Sequence, residues 1–225
     1  MINRKKVAAI ILIAGNSTRF GKNRNKNFEV VNEKTVLAYS LNEFAKNQYI
    51  DDLIIACKES EIQNVNDIIE KENLVKKITI VLGGNTRKES VYNSIRATDS
   101  DIVVIHDGAR PAIKQKYIDK CIESMDKFKG VTIGVKSKDT IKISNENNVV
   151  VNTTKRSNTW IIQTPQCFER EILLKMHEKY KNEDATDDCQ LLELDNYEIK
   201  IIEGDYTNLK ITTYEDLGII KGFIN

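Results

Sequence analysis

The stretch from Val7 to Lys26, VAAIILIAGNSTRFGKNRNK, decides the fold and indicates where a site lies. It opens with an unbroken apolar run, Val7–Ile13, which is too short for a helix of its own and is typical of a strand buried on both faces. Gly15 ends the run, and a loop rich in cations follows. Backbone N–H groups in such a turn can cradle phosphate oxygens, and the cations can neutralise them. A solvated basic loop has the same composition, so this stretch alone leaves both interpretations open.

Short β-branched runs recur along the chain and alternate with segments of helical spacing. The further predicted strands are Leu53–Ala56, Ile78–Leu82, Ile102–Ile105, Val131–Val135 and Ile199–Ile202. The predicted helices are Val36–Ala45, Ile62–Ile69, Val91–Ile95, Ile118–Phe128 and Glu169–Tyr180, another opening near Asp187–Asp188, and a last one opened by a Thr-x-x-Glu capping box at Thr212–Glu215. This alternation predicts right-handed βαβ crossovers and hence an α/β fold, a Rossmann-like and mainly parallel twisted sheet flanked by helices.

The segment Thr140–Thr154 breaks the alternation, because two alternating arms surround the turn-forming residues Asn145–Asn148. It predicts a β-hairpin. An isolated hairpin is marginally stable in water, so we expect it to pack on the body of the domain or on a second subunit. No low-complexity linker interrupts the chain, which predicts one domain over residues 1–225 with a protruding arm at about 138–156.

Composition excludes several classes of protein. The 34 basic and 33 acidic side chains give a net charge of +1, which offers no global attraction to nucleic acid or to an anionic membrane. There is no apolar run near the roughly 18 residues of a membrane span and no signal-peptide pattern, so we expect a soluble cytoplasmic protein. The four cysteines lack Cys-x-x-Cys spacing and are expected to be reduced and structural. The glycine patterns of dinucleotide oxidoreductases and P-loop proteins are missing.

In an open parallel sheet, ligands bind beyond the carboxyl ends of the strands, where the strand order reverses. Gly83–Ser90 follows the third strand with glycines, cations and a helix start, which predicts a second anion-binding turn. Asp107 ends the fourth strand in the segment His106–Pro111, and an Asp there is a natural Mg²⁺ ligand. A turn-capping Asp paired with Arg110 is the alternative. We expect His106 to be a packing residue.

Two downstream cations, Arg156 and Lys210, would be surface charges if each were considered alone. Trp160 is most simply a core or interface anchor. The run Thr186–Asp188 is most simply a helix N-cap with an acidic first turn.

Seven short motifs, in order, resemble the 2-C-methyl-D-erythritol 4-phosphate cytidylyltransferase family from end to end. They are the loop Ala14–Lys26, GG-x-x-R-x-x-S at Gly83–Ser90, HD-x-ARP at His106–Pro111, DTIK at Asp139–Lys142, R…QTPQ-x-F at Arg156–Phe168, TDD at Thr186–Asp188 and N-x-KIT at Asn208–Thr212. The resemblance implies transfer of CMP from CTP to a sugar-alcohol phosphate in non-mevalonate isoprenoid synthesis, with release of pyrophosphate. It also implies a divalent cation such as Mg²⁺ and a homodimer whose subunits exchange a β-arm.

The resemblance assigns a role to each matching position. Arg19 and Lys26 match the pair that stabilises charge on the α-phosphate, and Arg156 and Lys210 match the pair that holds the acceptor, with Arg156 supplied by the other subunit. The positions that match the CTP shell are Ala14, Gly15, Asn16, Ser17, Gly84, Asn85, Arg87, Ser90 and Thr164. Asp107 matches the aspartate near Mg²⁺, and the contacts to the acceptor phosphate are matched by Arg110 and Thr140.

The chain departs from the family pattern at several positions in these loops. Ile13 and Ser17 replace an alanine and a glycine of the first loop, and Ser17 is expected to reshape that loop near the triphosphate. The usual Pro-Lys-Gln is Asn25–Asn27, so we expect Lys26 to be less rigidly presented, with Lys22 as a fallback. Gly108 replaces an alanine, and we expect this change to be mild.

Two other functions share much of this pattern. A cytidylyltransferase for ribitol 5-phosphate or another pentitol phosphate has the same loops, although HDGARP, DTIK and TDD favour methylerythritol phosphate. A non-catalytic, nucleotide-binding regulatory protein is the alternative from another class. The retained cations argue against it.

Overall fold

A seven-stranded sheet is the frame of the protein, in a computed structural model that describes residues 5–15, 19–21 and 25–224. The strands in chain order are β1 (Val7–Leu12), β2 (Val30–Val31), β3 (Lys34–Thr35), β4 (Asp52–Cys57), β5 (Lys77–Leu82), β6 (Ile102–Asp107), β7 (Gly130–Lys136), β8 (Lys142–Ser144), β9 (Val150–Thr153), β10 (Trp160–Glu169) and β11 (Ile199–Glu203). The α-helices are α1 (Val36–Ala45), α2 (Ile62–Lys71), α3 (Arg87–Arg96), α4 (Gln115–Glu123), α5 (Arg170–Lys179), α6 (Asp188–Glu193) and α7 (Glu215–Ile220).

The strand order of this sheet is β11-β7-β10-β6-β1-β4-β5. Strand β10 runs antiparallel to both of its neighbours, and the other neighbouring pairs are parallel, which confirms the predicted α/β class and mainly parallel sheet. The chain passes from β1 to β4 and β5 on one side and then to β6 on the other side. The strand order therefore reverses at β1, and the carboxyl ends of β1, β4, β5 and β6 meet at one edge.

Strand β1 is buried on both faces, as its apolar run predicts. Ala9 and Ile11 pack in one core cluster with residues of α1 and α4, whereas Ala8 and Ile10 pack in a second cluster with residues of α3 and α5. Because side chains alternate along a strand, helices must cover both faces of the sheet to keep this run from water. Full burial of each such isoleucine contributes roughly 1.5–3 kcal/mol.

Strand β10 is a feature that the sequence pattern did not reveal. Pro165 lies inside it after a cis peptide bond, at the place where the pairing with β7 shifts register between Ile162 and Gln166. Proline has no N–H for the ladder and is accommodated in sheets at such irregularities. The irregularity also interrupts the alternation of apolar residues, so no periodic pattern marks this strand beyond Ile162. The short hairpin β2–β3 was not predicted either.

The predicted capping box at Thr212–Glu215 is wrong. Helix α7 begins at Glu215, and it is the Asp216 carboxylate that accepts hydrogen bonds from the backbone N–H groups of Thr212 (2.7 Å) and Thr213 (2.9 Å). The Thr212 hydroxyl donates to the Lys210 carbonyl (3.1 Å) and does not cap the helix.

The predicted hairpin is present as the antiparallel pair β8–β9, which we call the arm together with its flanks, residues 138–156. Residues 138–153 are exposed throughout, and the apolar side chain of Val151 leaves 61% of its surface in water. The arm therefore does not bury its apolar residues on the body of its own chain. Among the described residues, no helix combines the length and apolar character that crossing a bilayer requires.

Candidate functional site

A cleft of about 390 Å³ lies at the carboxyl edge of the sheet, where the strand order reverses at β1. This volume is within the usual range of small-molecule sites. Its walls come from the loops that follow β1, β4, β5 and β6 and from the segment before α7. Among the lining residues are Ala14, Gly15, Lys26, Lys58, Gly84, Asn85, Arg87, Ser90, Asp107 and Lys210.

The turn Gly83–Gly84 forms one wall of the cleft. Both positions require glycine, because a side chain at either would collide with its neighbours. A Cβ atom on Gly83 would lie 2.3 Å from the Ala14 Cβ, and one on Gly84 would lie 2.2 Å from the Glu89 Cβ. The Gly84 N–H donates to the Ser90 hydroxyl (3.0 Å), which in turn donates to the Thr86 carbonyl (2.9 Å). The hydroxyl of Ser90 thus holds the turn in shape, next to the N-terminus of α3. The neighbouring Asn85 N–H donates to Oε2 of Glu89 (2.6 Å), so a carboxylate of the protein itself lies where the sequence predicts an anion.

Arg87 is held in the cleft wall by a carboxylate from a distant element. Its Nη1 lies 2.6 Å from Oδ2 of Asp188, which is 1% exposed and whose Oδ1 lies 3.1 Å from Nε2 of His177. Asp187 is the N-cap of α6 and accepts from the Gln190 N–H (3.1 Å), as the sequence predicted. The pairing of Asp188 with Arg87 was missed, because no local pattern signals a contact between residues so far apart.

Asp107 is the centre of a cluster of cations. Lys210 Nζ lies 2.8 Å from its Oδ2, Arg110 Nε 3.5 Å from the same oxygen, and Arg87 Nε 3.8 Å from Oδ1. Burial alone would raise the pKa of the Asp107 carboxyl. Lys210, followed by Arg87 and Arg110, outweighs burial and holds that pKa well below its usual range, so the group stays ionised.

Thr164 links the backbone of Asp107 to the ring of His106. Its hydroxyl oxygen accepts from the Asp107 N–H (3.1 Å) and lies 3.0 Å from Nδ1 of His106, whose Nε2 lies 3.2 Å from the Arg110 carbonyl. Burial lowers the pKa of His106 to about 3, so this ring is neutral and accepts at Nδ1 while it donates at Nε2. Thr164 is 5% exposed and is not among the residues that line the cleft.

Lys210 is placed by the segment that precedes it. The buried Asn208 donates from Nδ2 to the Thr164 carbonyl (2.9 Å), and its own carbonyl accepts from Arg110 Nη1 (2.9 Å). The Ile211 N–H donates to the Ala109 carbonyl (2.9 Å). The loop after β6 and the segment before α7 are therefore joined, which brings Lys210 to Asp107. Arg110 connects these two segments through its bond to the Asn208 carbonyl, and it is not among the residues that line the cleft.

Lys26 lies in a 3-10 turn, Lys26–Phe28, and lines the cleft. Burial, and after it the charge of Lys210, lowers the pKa of Lys26 to about 8, and Arg19 adds to this effect. Arg19 itself is exposed and is not among the lining residues. Asn16, Ser17 and Lys22 lie outside the described residues.

The backbone around Lys26 is held in place although no proline precedes it. Asn25 caps the turn, with its Oδ1 accepting from the backbone N–H (3.0 Å) and from Nδ2 (2.8 Å) of Asn27. Hydrogen bonds thus take the place of the rigid ring that a proline would supply before this lysine.

Gly108, expected to be a mild change, is coupled to the departure at Ile13. A Cβ atom there would lie 2.5 Å from Cγ2 of Ile13 and 3.0 Å from Oδ1 of Asn27. The larger residue at position 13 fills the space that an alanine at 108 would need. The two departures from the family pattern therefore compensate each other in volume.

Lys58 is a lining cation that sequence reasoning missed. It follows β4 directly, at the same edge as the other loops, and its position after a predicted strand was the only signal that could have found it. Arg156 and Thr140, by contrast, are exposed on the arm, where Arg156 Nη2 donates to the Thr140 hydroxyl (2.9 Å). One chain brings together Lys26, Arg87, Asp107 and Lys210 but not these two arm residues.

The donor set around Asp107 suits a divalent cation only as a partial site. Within the described ranges, no group of three or more His, Cys, Asp and Glu side chains could hold a metal ion. Oδ2 of Asp107 is taken by Lys210, whereas Oδ1 has Arg87 Nε only at 3.8 Å, beyond hydrogen-bond distance. A hard carboxylate oxygen of this kind fits Mg²⁺ as one ligand when phosphate oxygens and water supply the others.

Comparisons with known proteins agree with this geometry. The family model for 2-C-methyl-D-erythritol 4-phosphate cytidylyltransferase (IspD) matches residues 7–225. A protein of that name from Caldanaerobacter subterraneus subsp. tengcongensis is 40% identical over 223 residues, which are 97% of this chain and 98% of the relative. One from Clostridium acetobutylicum is 41% identical over 213 residues, which are 93% of each chain.

A solved structure shows the same arrangement of elements. The crystal structure of 4-diphosphocytidyl-2C-methyl-D-erythritol synthase from Anaerococcus prevotii superposes with a TM-score of 0.89 at 32% identity, covering 99% of this chain and 97% of that one. The match of the family model over nearly the whole chain, with relatives at about 40% identity, shows that the chain belongs to the 2-C-methyl-D-erythritol 4-phosphate cytidylyltransferase family.

Proposed function

We propose that this protein transfers CMP from CTP to 2-C-methyl-D-erythritol 4-phosphate, forming 4-diphosphocytidyl-2-C-methyl-D-erythritol and pyrophosphate. The observation that carries the proposal is the convergence of Lys26, Arg87 and Lys210 around Asp107 in one cleft at the strand ends. Such a cleft carries the positive charge that phosphate-bearing substrates require. Family membership supplies the substrate pair.

Electrostatics is the main obstacle to this reaction. Two unit negative charges at about 4 Å repel each other by roughly 1 kcal/mol in water and roughly 4 kcal/mol near a protein surface, and both substrates carry several such charges. The lysines and arginines of the cleft offset this repulsion before the reaction begins. Because their positions are set by the fold, little reorganisation is needed as charge shifts in the transition state.

The reaction itself needs little covalent chemistry from the protein. An oxygen of the acceptor phosphate forms a bond to the α-phosphorus of CTP, the bond from that phosphorus to the bridging oxygen of the β-phosphate breaks, and the electron pair leaves with pyrophosphate. No proton has to be moved, because attacking and leaving oxygens are both phosphate oxygens. Positioning and preorganised positive charge therefore supply the rate enhancement.

Each part of the site has a place in this scheme. The loop after β1 and the turn Gly83–Gly84 hold the CTP phosphates, and Lys26 with Arg19 stabilises the charge at the α-phosphate. Lys210 holds the acceptor phosphate. Asp107 would be the protein ligand of Mg²⁺, which when bound with the nucleotide neutralises charge on the triphosphate.

We also propose that a second copy of the chain completes the site. The arm carries Arg156 and Thr140 on an exposed hairpin with apolar side chains, among them Val151, that find no cover in their own chain. A homodimer that exchanges arms covers these side chains and delivers Arg156 to the cleft of the other subunit.

Mixing two inactive variants tests this arrangement. A Lys26→Ala subunit and an Arg156→Ala subunit should each be inactive as homodimers. After denaturation and joint refolding, each heterodimer has one site with both residues intact, so about a quarter of the wild-type activity should return. Recovery of no activity, or a monomer in sedimentation, would contradict the shared site.

Pyrophosphate release tests the function itself. The protein is incubated with CTP, Mg²⁺ and one acceptor at a time, with 2-C-methyl-D-erythritol 4-phosphate and ribitol 5-phosphate as alternatives. Turnover with the first acceptor alone is the expected result. Turnover with ribitol phosphate alone would favour a pentitol-phosphate enzyme, and CTP binding without turnover would favour a regulatory protein.

A further inference from the structure

Asn25 connects Lys26 to two other parts of the fold. Its Nδ2 donates to the Ile13 carbonyl at the end of β1 (3.0 Å) and to Oε1 of Glu61 (2.7 Å), while its Oδ1 accepts from Asn27. All of the hydrogen-bonding groups of this side chain are used inside the protein. A side chain bound in this way fixes the backbone at position 25 and hence the point from which the Lys26 side chain extends.

Glu61 extends the connection to a second lining lysine. This residue lies directly before α2 and is 8% exposed. One of its oxygens accepts from Asn25, and the other, Oε2, accepts from the backbone N–H of Lys58 (3.2 Å). A single buried carboxylate thus joins the loop after β1 to the loop after β4, at the points where each carries a lysine of the cleft.

We infer that Asn25 and Glu61 are positioning residues that hold Lys26 and Lys58 in the cleft for phosphate binding and transfer. The inference rests on the proposed function, and it assigns a role to two residues that contact no substrate. It also explains how this chain presents Lys26 without the proline of the family pattern.

The need for such a support follows from the charges in the cleft. The charges of Lys210 and Arg19 oppose the charge of Lys26, whereas the charge of Asp107 favours it, and like charges at close range repel each other. A lysine on an unsupported loop would relieve this repulsion by moving into water. Burying the Glu61 carboxylate costs free energy that only its hydrogen bonds recover, so its place between the two loops points to positioning rather than to a gain in stability alone.

Hydrogen-bond polarity offers a sharp test. Glu61→Gln puts an N–H₂ group against one of two N–H donors, and Asn25→Asp puts a carboxylate against a carboxylate. In the double variant the amide introduced at position 61 can donate to the carboxylate introduced at position 25 and still accept from the Lys58 N–H, so the link between positions 25 and 61 is restored with its direction reversed. The donation to the Ile13 carbonyl is lost in both variants that carry aspartate at position 25, so recovery is measured against Asn25→Asp. Glu59→Gln makes the same chemical change on an exposed residue of the same turn and is the matched control.

The first measurement is steady-state CMP transfer under conditions where every variant is fully folded. Each single variant should lower kcat about tenfold or more, since misplacing a catalytic group by about 1 Å can cost 10²-fold, with KM for CTP changed far less. The double variant should recover part of the kcat that Asn25→Asp loses, whereas Glu59→Gln should match the wild type. A role in stability alone would lower the unfolding midpoint without this recovery of kcat.

The second measurement uses the protein without substrates. Hydrogen exchange at the Asn27 amide, which Asn25 protects, should be faster in both single variants and slower again in the double variant. Additive losses of kcat in the double variant, or single variants with wild-type kcat and exchange, would overturn the inference while leaving the proposed function in place. A wild-type protein that transfers no CMP would instead remove the proposed function, and this inference with it.

Discussion

Gly108→Ala should destabilise this protein, although the family pattern has alanine at that position. The new Cβ atom would lie 2.5 Å from Cγ2 of Ile13, a residue that is 2% exposed and therefore has little room to move. Overpacking of a core usually costs about 1–3 kcal/mol. The φ angle of Gly108 lies outside the left-handed region, so the substitution also gains about 0.4–1 kcal/mol from a less flexible unfolded chain.

The net expectation is a loss of about 1–2 kcal/mol in the free energy of unfolding. For a chain of this size, that corresponds to a fall in Tm of about 2–8 °C. Ile13→Ala alone should cost about 2–5 kcal/mol, because it leaves a cavity beside Gly108. In the double variant the alanine at 108 enters that cavity, so its cost should be smaller than the sum of the two single costs by at least about 1 kcal/mol.

Urea unfolding followed by circular dichroism, at one protomer concentration, measures the free energy of unfolding of the wild type, the two single variants and the double variant. Gly218→Ala is the matched control, because no atom lies within 4 Å of the Cβ that it adds in α7, and alanine favours a helix. Additivity of the two substitutions within about 0.5 kcal/mol would refute the steric argument. A stabilised Gly108→Ala variant would refute it as well.

Three further predictions concern the cleft. Lys26→Ala should lower kcat about 10²–10³-fold in a pyrophosphate-release assay, with an unchanged Tm, whereas the exposed Lys71→Ala should lower neither. Since the pKa of Lys26 is lowered to about 8, its charge is present below that pH and is lost above it. The value of kcat/KM for CTP should therefore fall as pH rises through about 8. Lys26→Arg should move this fall to higher pH, because arginine keeps its charge. Asp188→Asn should weaken CTP binding in calorimetry about tenfold, because Arg87 loses the carboxylate that holds it; unchanged binding would contradict that role.

Local sequence pattern was sufficient for most of the sheet. The run Val7–Ile13 predicted a doubly buried strand, helix α1 has the predicted bounds, and the alternation of strands and helices predicted the parallel connections. These features depend on neighbouring residues whose side chains alternate with a period of 2 or 3.6, so a single sequence contains the information. Strand β10 escaped because Pro165 and the register shift remove that period.

The sequence by itself determined which loops reach the carboxyl edge of the sheet and which charges they carry. Only the tertiary structure decided how those charges meet: Lys210 with Asp107, Arg87 with Asp188, and Lys26 supported through Asn25 by Glu61. These contacts join residues that are distant along the chain, and a side chain's hydrogen-bond partner leaves no periodic trace in the residues beside it. The compensation between Ile13 and Gly108 has the same origin, because the volume they share exists only where two strands end side by side.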